Sequence, residues 1–455
     1  MGFESINPGT GVLIGSHEVH SADEVERFLA SAVLAQGFWG ALPVDERALP
    51  VRAVAATLRG RVEQLARLMA DEMGKPLPQG RAEVEKCAWA CEHFAESAAD
   101  GLRDDILAPD TRVAFRPLGV VLAVMPWNFP LWQVIRFAAP TLMSGNATLV
   151  KHAPSVQGCA DVLEDVFRAA GLPEGLYANV RIEEEAVAPL IARSEIAAVT
   201  LTGSTRAGRA VAEAAGAALK KCVLELGGSD PYLVLRDADV EHAARVCVAS
   251  RLVNSGQSCV AAKRFLVVED VREAFTRSVL ALMEAVRWGD PLHERGVDVG
   301  PLARVDLREA LHAQVRASVD AGAELLLGGE VPEGPGAYYP PTLLAGVRPG
   351  MAAFDEETFG PVAAIVPVKD EAHGLRLANQ TIYGLGAAVF TSNVSHGEQL
   401  AEHGLDAGTC VVNDMVVSDP RVPFGGIKAS GVGRELGAYG LREFVNVKTL
   451  RVGTT

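Results

Sequence analysis

Between residues 120 and 226 the chain alternates short apolar runs with longer amphipathic ones, and this alternation restricts the fold more than any other feature. Apolar runs over 120–125, 147–151, 177–182, 197–202 and 222–226 are separated by helical patterns that include 131–143, 158–170 and 205–215. Strands joined through helices of ten or more residues cannot pair by tight turns; they build βαβ units. Right-handed crossovers then give a doubly wound parallel sheet covered on both faces. A second α/β run begins near residue 230, with strands expected over 232–235, 265–268, 324–327, 363–368, 387–391 and 409–412 and helices over 240–253, 271–286 and 304–321. The first hundred residues are helical in pattern. A capping box at Ser21 and Glu24 opens one helix, a second is expected over 50–73 with Pro50 in its first turn, and a third over 83–98. A short strand at 111–117 and an alternating tail at 443–452 complete the pattern, with a Gly- and Pro-rich surface loop at 331–337.

Composition narrows the function. At 455 residues the chain has room for two to three domains, and with 49% hydrophobic and 22% charged residues it can bury a large core. The net charge of −15 argues against nucleic acid as partner, since binding it needs clustered Lys and Arg. No apolar run reaches membrane-spanning length, and MGFESINPGTG lacks the basic and apolar regions of a signal peptide. The seven cysteines are odd in number and lack zinc spacing, so reduced thiols in a cytoplasmic protein with no metal centre are expected.

Three polar groups stand where α/β sheets place their ligands, at turns and strand ends. Asn128 lies between two prolines in PWNFP (126–130), Glu225 ends an apolar strand in ELGG (225–228), and Cys259 closes NSGQSC (254–259). Each alone has an ordinary reading: a rigid turn, a capping carboxylate, a small buried hydrophobe. GSTRAG (203–208) follows a strand and opens a helix, the context for a pyrophosphate at a helix N-terminus, although it is not the GxGxxG pattern. Lys151 ends the strand over 147–151.

With EETFGPV (356–362) and PFGGIKASGVGRELG (423–437), these motifs occur in the order seen in the aldehyde dehydrogenase superfamily, which the chain resembles from about Asn7 to Val447. The resemblance implies an α/β fold: a Rossmann-type parallel-sheet cofactor domain (1–100 and 119–225), a second α/β catalytic domain (226–430) and a small β oligomerisation element (101–118 and 438–455). It implies a homodimer or dimer of dimers that uses NAD or NADP. By position, Cys259 resembles the nucleophile that forms a thiohemiacetal and then, after hydride loss, a thioester. Asn128 resembles the oxyanion donor, acting with the Cys259 backbone N–H, and Glu225 the general base for hydrolysis. Trp127, Lys151, Gly203, Ser204, Gly208, Glu357 and Phe359 match cofactor-binding positions.

Departures from the family pattern are informative. The family often continues its lysine as Lys-Pro-Ser-Glu; here Pro154 stands in place of the carboxylate, which removes a repulsion against a 2′-phosphate, so use of both cofactors is expected. Phe137 replaces the lysine that often partners the glutamate of GRELG, leaving Glu435 without that relay partner. Ala261 takes the place of a second cysteine that serves some relatives as a redox latch. Arg136, eight residues after Asn128, and Ser418 match residues that bind the tail carboxylate in succinate-semialdehyde dehydrogenases, whereas a second arginine of that subgroup is Val253 here, with Arg251 nearby. The expected reaction is oxidation of succinate semialdehyde to succinate. The alternatives are another short carboxylated or aliphatic aldehyde such as glutarate semialdehyde, a CoA-acylating enzyme and an inactive scaffold.

Overall fold

The computed structural model describes residues 2–453; residues 1, 454 and 455, the outer ends of the segments 1–100 and 438–455, lie outside the described residues. A hairpin, β1 (Gly2–Ile6) and β2 (Leu13–Glu18), precedes four helices, α1 (Ala22–Ala41), α2 (Val44–Arg59), α3 (Val62–Met73) and α4 (Leu77–Gly101). Strands β3 (Asp105–Ala108) and β4 (Thr111–Pro117) follow. The first α/β run is β5 (Val120–Met125), α5 (Trp132–Met143), β6 (Ala147–His152), α6 (Gln157–Ala169), β7 (Tyr177–Asn179), α7 (Val187–Ala192), β8 (Ile196–Thr202), α8 (Thr205–Ala217) and β9 (Lys221–Glu225). The second begins with β10 (Asp230–Val234), α9 (Val240–Leu252), β11 (Ala262–Val268), α10 (Glu269–Glu284), α11 (Val305–Asp320), β12 (Glu324–Leu327), β13 (Thr342–Ala345) and α12 (Ala352–Asp355). It continues with β14 (Val362–Val368), α13 (Glu371–Asn379), β15 (Gly386–Phe390), α14 (Val394–His403) and β16 (Thr409–Val412). The tail forms β17 (Gly431–Val432), α15 (Gly437–Leu441) and β18 (Val445–Arg451).

The strands make two large sheets. One has the order β17-β9-β8-β5-β6-β7, parallel except for β17. The other has the order β12-β13-β14-β11-β10-β15-β16, parallel except for β12. In the first sheet the strand order reverses between β5 and β8, so the crevice beyond their carboxyl ends is the topological switch point where ligands of open α/β sheets bind. PWNFP leaves β5 there and GSTRAG leaves β8 beside it. One apolar core joins this sheet to α1–α6, and separate cores fill the two faces of the second sheet. A third, antiparallel sheet has the order β18-β4-β3.

The helical N-terminal part departs from the sequence expectation. The helix over 50–73 is two helices: α2 starts at Val44 and carries Pro50 inside it, and the chain breaks at Gly60 and Arg61 before α3. Helix α4 is longer than the span 83–98. Its Glu83 reaches across to α5, where one carboxylate oxygen accepts from the N–H groups of Leu131 (3.0 Å) and Trp132 (2.9 Å). Those are donors that a helix start leaves unsatisfied, and the buried Lys75 ammonium pairs with the same carboxylate. This fixes the helix that carries Gln133 and Arg136.

Candidate active site

The nucleophile candidate sits after a strained turn. Asn254 and Ser255 adopt left-handed backbone angles (φ 55° and 57°), followed by Gly256 at φ 74°. Left-handed conformation costs an L-residue about 1–2 kcal/mol, so the surroundings must enforce it. The Asn254 amide donates to the carbonyls of Asn128 (2.6 Å) and Gln257 (3.1 Å), and the Ser255 hydroxyl accepts from Gly300 N–H (2.9 Å). Gln257 Oε1 accepts from Ala303 N–H at 2.9 Å. The motif NSGQSC therefore encodes a fixed loop that presents Cys259.

Cys259, together with Gln133, lies in the wall shared by two cavities. The first, about 500 Å³, is bounded by α4, α5, α9 and the segment 416–418. The second, about 270 Å³, is bounded by Trp127, Asn128, Gly203, Ser204, Glu225, Glu357 and Phe359. Burial pushes the Cys259 thiol up to about 11, opposed by the positive charges of Arg136 and Lys263. Lys263 is fully buried: its ammonium donates to the carbonyls of Ser258 (3.0 Å) and Cys259 (2.6 Å) and stands 3.7 Å from a Glu357 oxygen. Asn128 is buried, and one amide hydrogen goes to Gln257 C=O at 3.1 Å. The amide has two, so a second donor remains.

Glu225 ends β9 with both carboxylate oxygens buried and without a hydrogen-bond partner among the described residues. Gly425, at φ 151°, makes room for it: a Cβ there would meet a Glu225 oxygen at 2.6 Å. Burial first, and then the negative charge of Glu435, hold the Glu225 carboxyl well above the usual carboxylate range; Arg136 pulls the other way.

The structure gives Glu435 the cationic partner the sequence left it without. Arg136 pairs with Glu435 through Nε, donates from Nη2 to Thr202 Oγ1 at 3.3 Å and lies 4.8 Å from the Phe424 ring centre. Phe137 instead packs edge-on against Phe444. Arg136 and Ser418 both line the first cavity; Arg251 does not, being fully buried and donating to Gly256 C=O at 2.6 Å.

Of the residues expected to hold a dinucleotide, Trp127, Gly203, Ser204, Glu357 and Phe359 line the second cavity, Lys151 lines a separate one, and Gly208 lies in α8. Ser204 caps α8, its hydroxyl accepting from Ala207 N–H at 3.2 Å. A Cβ at Gly208 would meet the Leu226 side chain at 2.5 Å, so glycine lets α8 pack close against the strand end without moving that leucine, whereas a Cβ at Gly203 would make only ordinary contact with Leu201 at 3.6 Å. Trp127 and Phe359 meet edge to face at 5.8 Å, and Glu357 accepts from Gly228 N–H at 3.0 Å. Lys151 is buried and lines a third cavity, about 230 Å³, with Glu184 and Arg206. A helix N-terminus reached through Gly203, with an aromatic cavity on one side and a cavity carrying Lys151, Arg206 and Glu184 on the other, fits a dinucleotide. His152, next to Lys151, is a neutral buried brace: burial pushes it down to about 4, Nδ1 accepts from Ala153 N–H, and Nε2 donates to Pro130 C=O at 2.8 Å. Three side chains at this site went unread in the sequence: Lys86, Lys263 and His152. Lysine at a strand or helix position reads as a solvated group unless its neighbours in space are known.

Among the described residues there is no group of three or more metal-ligating side chains and no helix long and apolar enough to cross a membrane. The family model for the aldehyde dehydrogenase family matches residues 1–450. The chain is 48% identical to a succinate semialdehyde dehydrogenase [NAD(P)+] of Escherichia coli over 98% of this chain and 97% of the other. It is 45% identical to a probable succinate-semialdehyde dehydrogenase [NADP(+)] of Synechocystis over 99% of each. Among solved structures, succinic semialdehyde dehydrogenase from Streptococcus pyogenes in complex with NADP+ superposes with a TM-score of 0.96 at 34% identity, over 99% of this chain and all of the other. Motif order, fold, site geometry and full-length similarity agree, and the chain belongs to the aldehyde dehydrogenase family.

Proposed function

We propose that the protein oxidises succinate semialdehyde to succinate with NAD or NADP, as a cytoplasmic homodimer or dimer of dimers. The observation that carries the reading is the placement of Cys259 in the wall between an aldehyde-sized cavity and the dinucleotide cradle. The substrate enters the first cavity with its aldehyde at Cys259 Sγ and its carboxylate towards Arg136 and Ser418. Glu225, on the wall of the same cavity as Cys259, takes the thiol proton and passes it to solvent; the resulting thiolate adds to the carbonyl carbon, and the oxyanion that forms takes the free Asn128 N–H and the Cys259 backbone N–H. Lys263 supports this step, because its ammonium binds the carbonyl of the Ser258–Cys259 peptide and so orients and polarises the N–H of the same peptide. Glu357, Phe359 and Trp127, which line the cavity on the other side of Cys259, would hold a nicotinamide, and that group would supply the hydride acceptor. What remains on the protein is a Cys259 thioester. Glu225 then takes a proton from water, which attacks the thioester carbonyl and releases succinate and the thiol. Lys151 and Arg206 line the cavity suited to the adenosine end together with one carboxylate, Glu184; two cations against one anion, and no carboxylate at Pro154, leave room for a 2′-phosphate as well as a 2′-hydroxyl.

The test is a panel of aldehydes assayed for reduced-cofactor formation with NAD and NADP. Succinate semialdehyde should give the highest kcat/KM, above glutarate semialdehyde and butanal, and both cofactors should turn over. A wild-type preference for butanal removes the carboxylate assignment. Acceleration by CoA would point to the acylating alternative, which the presence of a base at Glu225 opposes.

A further inference from the structure

The first cavity holds two cations of different standing. Arg136 is already matched by the carboxylate of Glu435, so it offers hydrogen bonds but no net charge. Lys86, on α4, has no carboxylate within 4.0 Å among the described residues; it lies 4.4 Å over the Trp132 ring and donates to Ser418 Oγ at 2.8 Å. Ser418 Oγ also accepts from Trp132 Nε1 at 3.0 Å. A hydroxyl has two acceptor lone pairs and one hydrogen. With both acceptor sites taken, the Ser418 hydrogen has to be given to something else, and the remaining Lys86 hydrogens share that need. A lysine, a hydroxyl locked as donor and an indole face gathered in one largely apolar cavity form a receptor for a single carboxylate.

We propose that Lys86 is the specificity-determining cation of the substrate cavity: with the Ser418 hydroxyl it binds the tail carboxylate of the aldehyde, supplying the net positive charge that the Arg136–Glu435 pair does not. This rests on the substrate class proposed above. The groups that face Lys86 are Arg136 on α5, Glu83 and Cys87 on its own helix and Asp419 beside Ser418. Burial, with Arg136 next, holds the ammonium down at about 8; the other three act in the opposite sense. A lysine poised there loses its charge just above neutral pH, and the preference for a carboxylated substrate should fade with it.

Succinate semialdehyde and butanal, equal in carbon count, serve as the pair of probes on the whole enzyme. Lys86→Met should lower kcat/KM for succinate semialdehyde by about 30-fold or more and change that for butanal by less than about threefold, with Lys86→Arg restoring much of the loss. Equal effects on the two aldehydes, or none on either, overturn the role of Lys86. Should the variants fail to fold, the wild-type enzyme still decides the matter: the ratio of the two kcat/KM values should fall as pH rises from 7 to 9.5, and a flat ratio overturns the proposal. A wild type that prefers butanal at every pH instead defeats the substrate class itself, a separate outcome.

Discussion

At the scale of single residues, the site is a set of buried charges whose neighbours decide which proton each holds. Glu225 has to be ionised to activate water, yet burial and Glu435 favour its protonated form. The rate of thioester hydrolysis should therefore rise with pH as Glu225 ionises. Glu435→Gln removes a negative neighbour and frees the Arg136 charge, and both changes lower the Glu225 pKa. The rising limb of the kcat–pH profile should move to lower pH in this variant; a limb that stays or moves up would mean that another group is the base. Glu225→Gln should keep a burst of reduced cofactor, slowed because the thiol proton must reach solvent unaided, and lose steady-state turnover by about 10²–10⁴-fold, because the thioester then waits for water without a base. Cys259→Ala should abolish both while leaving cofactor binding intact. Lys263 is a positive neighbour of the Cys259 thiol, so Lys263→Met should push that thiol further up. Iodoacetamide alkylation followed against pH would then move to the alkaline side, and the burst rate would drop with it.

At the scale of elements, the functional loops are rigid because they lean on one another. Gly256 meets the backbone of Gly360, where an added Cβ would come within 2.2 Å of the carbonyl oxygen, and it also needs φ 74°. Gly256→Ala should cost about 1–3 kcal/mol and slow the burst phase, since the loop of Cys259 and the loop of Glu357 and Phe359 would be forced apart together. Calorimetry and stopped-flow absorbance on the same variant check both. This scale also marks where the sequence stops being legible. The long βαβ helices and strands announce themselves through their period, and the strand-end positions of Asn128, Glu225 and Gly203 follow from that pattern. The break at Gly60 was invisible because both flanking segments keep helical spacing and Pro50 imitates a helix start. Short polar helices such as α13 and α14 carry little periodic signal, and in the hairpin β1–β2 only Phe3 and Ser5 are buried, too few to mark a strand. Arg136–Glu435 and Lys86–Ser418 join residues from opposite parts of the chain, and no local rule pairs them.

At the scale of the whole molecule, the three-stranded sheet β18-β4-β3 leaves Ile106, Leu107 and Val447 exposed and, among the described residues, both outer strands unpaired on one side. Such an edge is a template for pairing with another chain, which supports the proposed oligomer. Removing residues 445–455 should strip β18 from β4 and reduce the assembly to smaller species by light scattering. An unchanged mass would place the subunit contact elsewhere.

The same sheet has a consequence for how the protein is made. Strand β4 pairs along its whole length with β18, and Asn146 donates to the carbonyl of Phe444, 298 residues further on. On the ribosome, at roughly 5–20 residues per second, the amino-terminal half therefore waits tens of seconds for its last partner. During that interval β4 has one flank open, and β9 lacks β17. These flanks stay open until the tail emerges, so chaperone dependence should persist through translation and end only when β17 and β18 have been made.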